Sequence, residues 1–157
     1  SNLKNYYFGG LIMLNRVKKF MGATMLAGMM VCTVGGITTY ANNNVDTNFS
    51  FQFQNKQSIT PKRAKTDTSK MYMKCTSLSS GASYTAHAVA YKSYSDKVAI
   101  DCSAGKTYLF DSKGKYHYMT NLVKERGYSI GAIAANPNYG YKFSASGKWS
   151  PDNVNKY

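Results

Sequence analysis

The sequence predicts an all-β protein, a single antiparallel β-sandwich or small barrel of about seven short strands. Two segments, 49–54 and 70–76, alternate apolar and polar residues strictly, as half-buried strands do. Clusters of Gly, Ser, Asn and Pro recur at short intervals between the apolar segments, which is typical of sandwiches and barrels. After residue 41 no segment keeps a 3.6-residue period, and Glu125 is the only glutamate, so a helical domain is disfavoured.

Individual strands are inferred from the apolar runs and the turns between them. The range 48–61 is interpreted as an edge strand followed by a loop, because it ends in polar residues and a proline. Turn residues predict two hairpins, one over 70–91 and one over 116–135. The apolar or alternating segments are 49–54, 70–76, 84–91, 98–102, 107–110, 116–123, 128–135 and 141–149.

The N-terminal region has the three parts of a secretory signal peptide. A basic stretch at 15–19 precedes the uncharged segment 21–37, and Thr39 and Ala41 supply the small residues of a cleavage site. A retained membrane anchor is the alternative, but 17 residues that include four glycines are short for a span of about 20 strongly apolar residues. We therefore predict a cleavable helical signal peptide over 13–41, preceded by an untranslated leader or cloning remnant over 1–12. Residues 42–157 are then a single secreted β domain, extracellular or associated with the cell envelope.

The domain after the predicted signal is basic. It has 16 Lys and Arg residues against seven acids, a formal net charge of +9, which favours anionic partners. The candidate anion-binding residues lie between 56 and 74, where the only acid is Asp67: Lys56, Lys62, Arg63, Lys65, Lys70 and Lys74. Their expected partner is an anionic cell-wall polymer or a membrane surface, and a merely solvated surface is an equal alternative. No nucleic-acid-binding motif accompanies them, so no specific nucleic acid is expected.

Two cysteines follow the signal, Cys75 and Cys102. In an oxidising compartment such a pair predicts one disulfide, which would close a loop of 28 residues. Loop-closure entropy gives such a bridge about 3.5 kcal/mol of stabilisation. The alternative is a pair of reduced, buried thiols.

No set of residues points to a catalytic chemistry. Residues 127–131 match the G-x-S-x-G pattern around Ser129, but that motif needs a strand–turn–helix setting and a histidine later in the chain. The two histidines, His87 and His117, precede Ser129, and their spacing does not support a metal site with nearby carboxylates. We therefore expect a protein that is not an enzyme and that has no cofactor.

Two segments near the ends of the domain carry a resemblance to a known group of proteins. Residues 63–69 read R-A-K-T-D-T-S, and residues 147–153 read G-K-W-S-P-D-N. The chain resembles small secreted proteins of Gram-positive bacteria with an early R-x-K-T-D-x-S segment and a late G-x-W-S-P-D-S segment, from which it departs at Asn153. The resemblance implies a compact β domain, and some members of the group are described as bacteriocin-like.

The residues of these segments suggest structural roles. Asp67 is expected to close an Asx turn before the following strand. Trp149, the only tryptophan, is expected to fill one end of the domain. Asp152 is expected to pair with Arg63 or Lys65 and so to tie the two ends of the domain together.

Three functions remain open from the sequence. The first is an exported, non-enzymatic protein that binds anionic components of the cell envelope. The second is a bacteriocin-like secreted toxin, which would use the same positive charge, and the third is a small hydrolase.

The domain is also rich in tyrosine, with eleven tyrosines after residue 41. Tyrosine suits strand packing, which is the preferred interpretation, and it also suits stacking on sugars.

Overall fold

The computed structural model describes residues 43–154, which form ten β-strands and no helix. The strands are β1 (Thr47–Phe53), β2 (Ser58–Ile59), β3 (Arg63–Ala64), β4 (Met71–Leu78), β5 (Tyr84–Tyr91), β6 (Ile100–Asp101), β7 (Tyr108–Phe110), β8 (Tyr116–Met119), β9 (Ile130–Pro137) and β10 (Phe143–Ser150). Residues 1–12 and the predicted signal peptide, 13–41, lie outside the described residues. Within residues 43–154 there is no helix of the length and apolarity that a membrane span requires.

The strands form two antiparallel sheets. Sheet A has the strand order β1-β10-β4-β8. Sheet B is built on β2-β9-β5-β6, with β3 also paired to β9 and β7 to β5. Side chains of both sheets share one apolar core, so the domain is a β-sandwich and the predicted fold class is confirmed.

Aromatic rings join the two sheets across the core. Phe49, Phe51 and Phe53 of β1 are all buried, and the ring of Phe53 lies 5.4 Å from the ring of Tyr84 in sheet B. Tyr84 stacks in turn on Phe110 at a centroid distance of 4.9 Å. Such pairs contribute about 0.5–1.5 kcal/mol each beyond the burial of their area. The alternation read from the sequence therefore fixes the inner face of β1.

Neither predicted hairpin is formed. β4 pairs with β10 and β8 in sheet A, whereas β5 pairs with β9, β6 and β7 in sheet B. β8 and β9 are likewise in different sheets. The hairpin prediction is wrong because alternation specifies only which face of a strand is buried. The connections 79–83 and 120–129 instead carry the chain from sheet A to sheet B.

Two short strands follow β1, one inside the predicted 48–61 segment and one just after it. β2 and β3 have two residues each, and both pair with β9. Strands of this length leave no periodic signal in the sequence, because a period of two needs several residues to be visible.

β4 and β10 approach each other closely at a bulge. The register shifts between Ser146 and Gly147, which leaves Thr76 of β4 without a direct partner in that ladder. A Cβ atom at position 147 would overlap the carbonyl oxygen of Lys74 and the ring of Phe49. Packing therefore requires glycine here.

Candidate functional site

The two family-like segments lie side by side in the folded domain. Lys65 Nζ lies 2.7 Å from Asp152 Oδ1, and neither side chain is exposed. Of the two partners expected for Asp152, the structure selects Lys65. We refer to the surrounding polar group as the clasp, which consists of Asn43, Lys65, Thr66, Asp67, Ser69 and Asp152.

The Asp152 carboxylate accepts hydrogen bonds at both oxygens. Lys65 donates to Oδ1, while the backbone N–H groups of Asn43 and Thr66 each donate to Oδ2 at 3.0 Å. The Thr66 hydroxyl also donates to Oδ2. Burial alone would raise the pKa of Asp152, but the hydrogen bonds from Lys65 and Thr66 outweigh it and hold the pKa below its ordinary value.

The Lys65 ammonium has three acceptors for its three N–H donors. Besides Asp152, it donates to the carbonyl oxygen of Ser69 at 2.6 Å and to Asp67 Oδ1 at 3.3 Å. Asp67 Oδ1 also accepts the backbone N–H of Ser69 at 2.8 Å, which forms the Asx turn expected from the sequence. Lys65 is therefore held in one position by the turn that follows it.

Arg63 and Trp149 extend this region toward the start of β1. The Arg63 guanidinium donates to the carbonyl oxygen of Val45 at 2.7 Å and to Thr47 Oγ1 at 3.2 Å. Its central carbon lies 5.6 Å from the centroid of the Trp149 ring. Trp149 is fully buried, so it fills the interior and offers no surface for ligand stacking.

The six candidate anion-binding residues do not share one exposed face. Lys65 is buried in the clasp, and this corrects the expectation that it contributes to an open basic surface. Lys62 donates to the backbone oxygens of Tyr94 and Asp96, and its ammonium lies 4.2 Å from the centroid of the Tyr91 ring. A charge that is bound to the protein's own carbonyls and rings is less available to a ligand.

The other candidate residues are separated along the chain. Lys56 is exposed in the turn after β1, Lys70 is half-buried directly before β4, and Lys74 projects from β4 itself. Lys74 is the one whose neighbours form a surface of distinctive composition.

The outer face of sheet A carries a group of tyrosines and lysines. Tyr72 and Lys74 alternate along β4, and Tyr116 and Tyr118 alternate along β8. The register places Tyr72 opposite Tyr118 and Lys74 opposite Tyr116, with Lys148 of β10 on the other side of Lys74. We refer to these five residues as the tyrosine–lysine face.

The three tyrosine rings contact one another. Tyr72 lies 5.4 Å from Tyr118 and 6.3 Å from Tyr116, and Tyr116 and Tyr118 meet edge to face at 6.0 Å. Tyr116 is 55% exposed and Tyr118 is 38% exposed. Burial raises the pKa of Tyr72, with a further contribution from the Asp46 carboxylate, so its hydroxyl stays protonated at neutral pH.

Lys74 and Lys148 are directly opposite each other in adjacent strands. Like charges in this relationship are destabilising. Within residues 43–154 neither lysine forms an ion pair that would offset the repulsion. The positive charge on this face is therefore available to a ligand.

A different signal in the sequence would have revealed this face. Alternation over 70–76 predicts only which face of that strand is buried. Tyr72 and Lys74 occupy the opposite positions of β4, and β8 contributes Tyr116 and Tyr118, so this concentration of tyrosine and lysine is the signal that the face leaves in the sequence. The contribution of Lys148 depends on β10 pairing with β4, which the sequence does not reveal.

A shallow cleft lies near the start of β10. It has a volume of about 220 Å³ and is lined by residues that include Gln52, Ser79 and Lys142. Nearby in the chain, the exposed rings of Tyr139 and Tyr141 stack at 5.1 Å. The cleft is smaller than the roughly 300–1,000 Å³ of typical small-molecule pockets.

The predicted disulfide is not formed, because Cys75 and Cys102 are both free thiols. Cys75 lies in sheet A, where its thiol donates to the carbonyl oxygen of Ser77 at 3.3 Å and lies beside the hydroxyl of Tyr84. Cys102 directly follows β6 in sheet B, and its thiol lies beside Arg126. Burial raises the pKa of each thiol, which keeps both protonated.

Ser129 and the histidines lie in separate places. The carbonyl oxygen of Ser129 accepts the backbone N–H of Lys65, as part of the pairing around β3 and β9. His87 is opposite Ala134, five residues along the chain from Ser129, and His117 is in the other sheet. In the described part of the chain, no three His, Cys, Asp or Glu side chains are grouped as metal ligands.

These features define the class: a basic all-β sandwich domain whose two ends are joined by a buried ion pair. The chain belongs to the family described as protein of unknown function DUF2712, which it matches over residues 37–153. The matched range includes the two segments 63–69 and 147–153, which carry Lys65 and Asp152. Neither the curated proteins nor the solved structures gave a match to this chain.

Proposed function

We propose that this protein is an exported, non-enzymatic binding module whose tyrosine–lysine face binds an anionic polysaccharide of the cell envelope. The observation that carries the proposal is the cluster of three contacting tyrosines beside Lys74 and Lys148, neither of which forms an ion pair with any residue of the described 43–154 range. The N-terminal sequence features of a signal peptide support export.

The tyrosines provide the contact area for sugar rings. An exposed aromatic ring held in a strand offers a flat apolar surface, and its hydroxyl can hydrogen-bond to sugar hydroxyls. Tyr72, Tyr116 and Tyr118 are packed against one another, so little conformational freedom is lost when a ligand binds. Their arrangement over two adjacent strands suits an extended polymer better than a compact small molecule.

The lysines provide the charge selectivity. Lys74 and Lys148 are neighbours on the same face, and their mutual repulsion falls when an anionic group lies between them. The negative charge of Asp46 raises the pKa of Tyr72, and Asp46 lies just before β1, the strand at the edge of sheet A. Phosphate or carboxylate groups along a wall polymer would supply the negative charge that Lys74 and Lys148 attract.

The net charge of the chain supports the same partner. A formal charge of +9 over residues 42–157 raises the local concentration of polyanions and accelerates their association. Electrostatic attraction of this kind weakens as salt is added, because the Debye length falls to about 8 Å at physiological ionic strength.

Co-sedimentation with purified Gram-positive cell walls tests the proposal. We expect binding to intact walls, weak binding to walls stripped of their phosphate polymers, and a steep loss with added salt. Tyr72→Ala and Lys74→Glu should each weaken binding at least several-fold. Lys97→Glu and Lys106→Glu change the same charge in exposed loops attached to sheet B, and they should bind as the parent protein does.

Three results would contradict the proposal. One is equal weakening by the face variants and the loop variants, which would indicate net charge alone. Another is undiminished binding to stripped walls. The third is stronger binding to anionic lipid vesicles than to walls, with or without vesicle leakage, which would favour a membrane-directed function.

A further inference from the structure

The clasp places a buried amine and a buried carboxyl group beside a second carboxylate that is partly exposed. Lys65 Nζ lies 2.7 Å from Asp152 Oδ1 and 3.3 Å from Asp67 Oδ1. We propose that Lys65 and Asp152 condense without any other enzyme into an intramolecular isopeptide bond, and that Asp67 carries the proton. This inference is independent of the binding function proposed above.

The nucleophile and the electrophile are already within reach of each other. Asp152 Cγ is one bond from the oxygen that Lys65 contacts at 2.7 Å. Both side chains are fully buried and fixed by the surrounding turn, so no diffusional encounter is needed. Well-oriented intramolecular reactions reach effective concentrations of about 10⁵–10⁸ M.

The other oxygen of Asp152 lies among hydrogen-bond donors. The backbone N–H groups of Asn43 and Thr66 lie 3.0 Å from Oδ2, and the Thr66 hydroxyl donates to it as well. When the amine adds to Cγ, negative charge develops on Oδ2, and these fixed donors stabilise it. This is the arrangement by which enzymes stabilise tetrahedral intermediates of acyl transfer.

Asp67 completes the set as the base for the amine. Its Oδ1 accepts hydrogen bonds from both Lys65 Nζ and the backbone N–H of Ser69, which fixes its position. A Lys65 ammonium that passes one proton to Asp67 becomes a nucleophilic amine. Asp67 then returns that proton to the departing Oδ1, and a second proton from the nitrogen reaches the same oxygen by the same route.

The reaction balances without a co-reactant. The Lys65 nitrogen forms a bond to Asp152 Cγ, and the bond from Cγ to Oδ1 breaks. Two of the three ammonium protons leave with Oδ1 as one molecule of water, the third stays on the amide nitrogen, and Asp67 ends as it began. One positive and one negative charge are consumed.

The interior favours this product. Two buried ions have already lost their hydration, which in water is what holds an amine and an acid apart as separate ions. A neutral amide removes both charges from the core. The water formed has an exit, because the Asp67 side chain is 35% exposed and connects the site to solvent.

The bond would join the two sheets covalently. Lys65 directly follows β3 of sheet B, and Asp152 lies just after β10 of sheet A. The closed loop would span most of the domain. A cross-link at this position would serve the stabilising role that the unformed Cys75–Cys102 bridge was expected to have.

Mass spectrometry of the full chain tests the inference. We expect an intact mass lower than that of the sequence by one water molecule, and a tryptic product in which residues 64–70 and 149–156 are joined. Lys65→Arg, which keeps the charge, should restore the full mass. Asp67→Asn should remain folded, as judged by near-ultraviolet circular dichroism, and should show slow or absent cross-linking.

Two outcomes would overturn the inference. One is a folded parent protein with the full sequence mass, in which trypsin cleaves after Lys65 and releases separate 66–70 and 149–156 peptides. The other is a loss of water with those peptides still separate, because that pattern indicates a succinimide at an aspartate. Cross-linking in Asp67→Asn as complete and as fast as in the parent would overturn the role of Asp67 as proton carrier.

Discussion

The Lys65 ammonium lies 2.7 Å from the Asp152 carboxylate, with both side chains fully buried between the ends of the two sheets. The pair is satisfied on all sides, since Lys65 has three acceptors and Asp152 accepts from two backbone N–H groups and a hydroxyl. Its local partners come from the N-terminal segment, from the turn after β3 and from the end of β10. The clasp thus holds the beginning and the end of the domain together.

In the Asp67→Asn background, where the pair stays ionic, Lys65→Met is expected to lower the free energy of unfolding by about 3–5 kcal/mol, because it leaves the buried Asp152 carboxylate without its counter-charge. Urea unfolding followed by Trp149 fluorescence measures this loss. Lys97→Met removes an exposed lysine, and in the same Asp67→Asn background it should change the free energy of unfolding by no more than about 0.5 kcal/mol. A change in Lys65→Met as small as that of the control would show that the pair is energetically unimportant.

The stability of the ionic pair is expected to fall in acid. In Asp67→Asn the pair stays ionic, and the pKa of Asp152 is lower when folded than its unfolded value of about 3.9. A group with a depressed folded pKa stabilises the protein above its unfolded pKa, and this contribution is lost as pH falls through the folded pKa. The stability difference between Asp67→Asn and Asp67→Asn/Asp152→Asn should therefore be constant above about pH 5 and shrink below about pH 4. A difference that grows in acid would reverse the assigned direction.

Trp149→Ala is expected to cost about 3–5 kcal/mol, the usual cost of truncating a large core side chain. Its ring is fully buried beneath the Arg63 guanidinium. Tyr116→Ala is the matched control, because this ring is more than half exposed, and it should leave the Tm nearly unchanged while weakening wall binding. An unchanged Tm in Trp149→Ala would mean that Trp149 does not support the core.

Lys148→Glu is expected to stabilise the domain while weakening its binding. The change replaces a like-charge pair with Lys74 by an opposite-charge pair, which is worth about 0.2–1 kcal/mol in adjacent strands. Lys106→Glu makes the same change in an exposed loop and should alter neither property. A less stable Lys148→Glu protein would show that the two lysines do not repel each other in the folded state.

Gly147→Ala is expected to destabilise the domain by at least about 1–3 kcal/mol, the usual cost of overpacking. The new Cβ would overlap the backbone oxygen of Lys74, which cannot move without breaking the β4–β10 ladder. Gly140→Ala is the control, because nothing lies within 4 Å of a Cβ at that position. Equal denaturation midpoints for the two variants would rule out the close approach at the bulge.

Parts of the clasp could be predicted from the sequence, and parts could not. The Asx turn at Asp67 is local, because its donor and acceptor are two residues apart. That Asp152 would meet a basic residue of the 63–69 segment followed from complementary charges at the two ends. The choice of Lys65 over Arg63 depends on which side chain β3 directs into the core, and two residues of strand carry no readable period.

The sequence by itself determined the all-β class and the buried faces of the long strands. Alternation is a local property, and the positions of Phe49, Phe51 and Phe53 decide which side of β1 leaves water, whatever strand lies beside it. Only the tertiary structure decided which strands pair, whether Cys75 and Cys102 meet, and which lysines share a surface. These outcomes depend on contacts between residues distant in the chain. The energies of these contacts arise from the packing of both sheets together, so they cannot be predicted from one segment of the sequence.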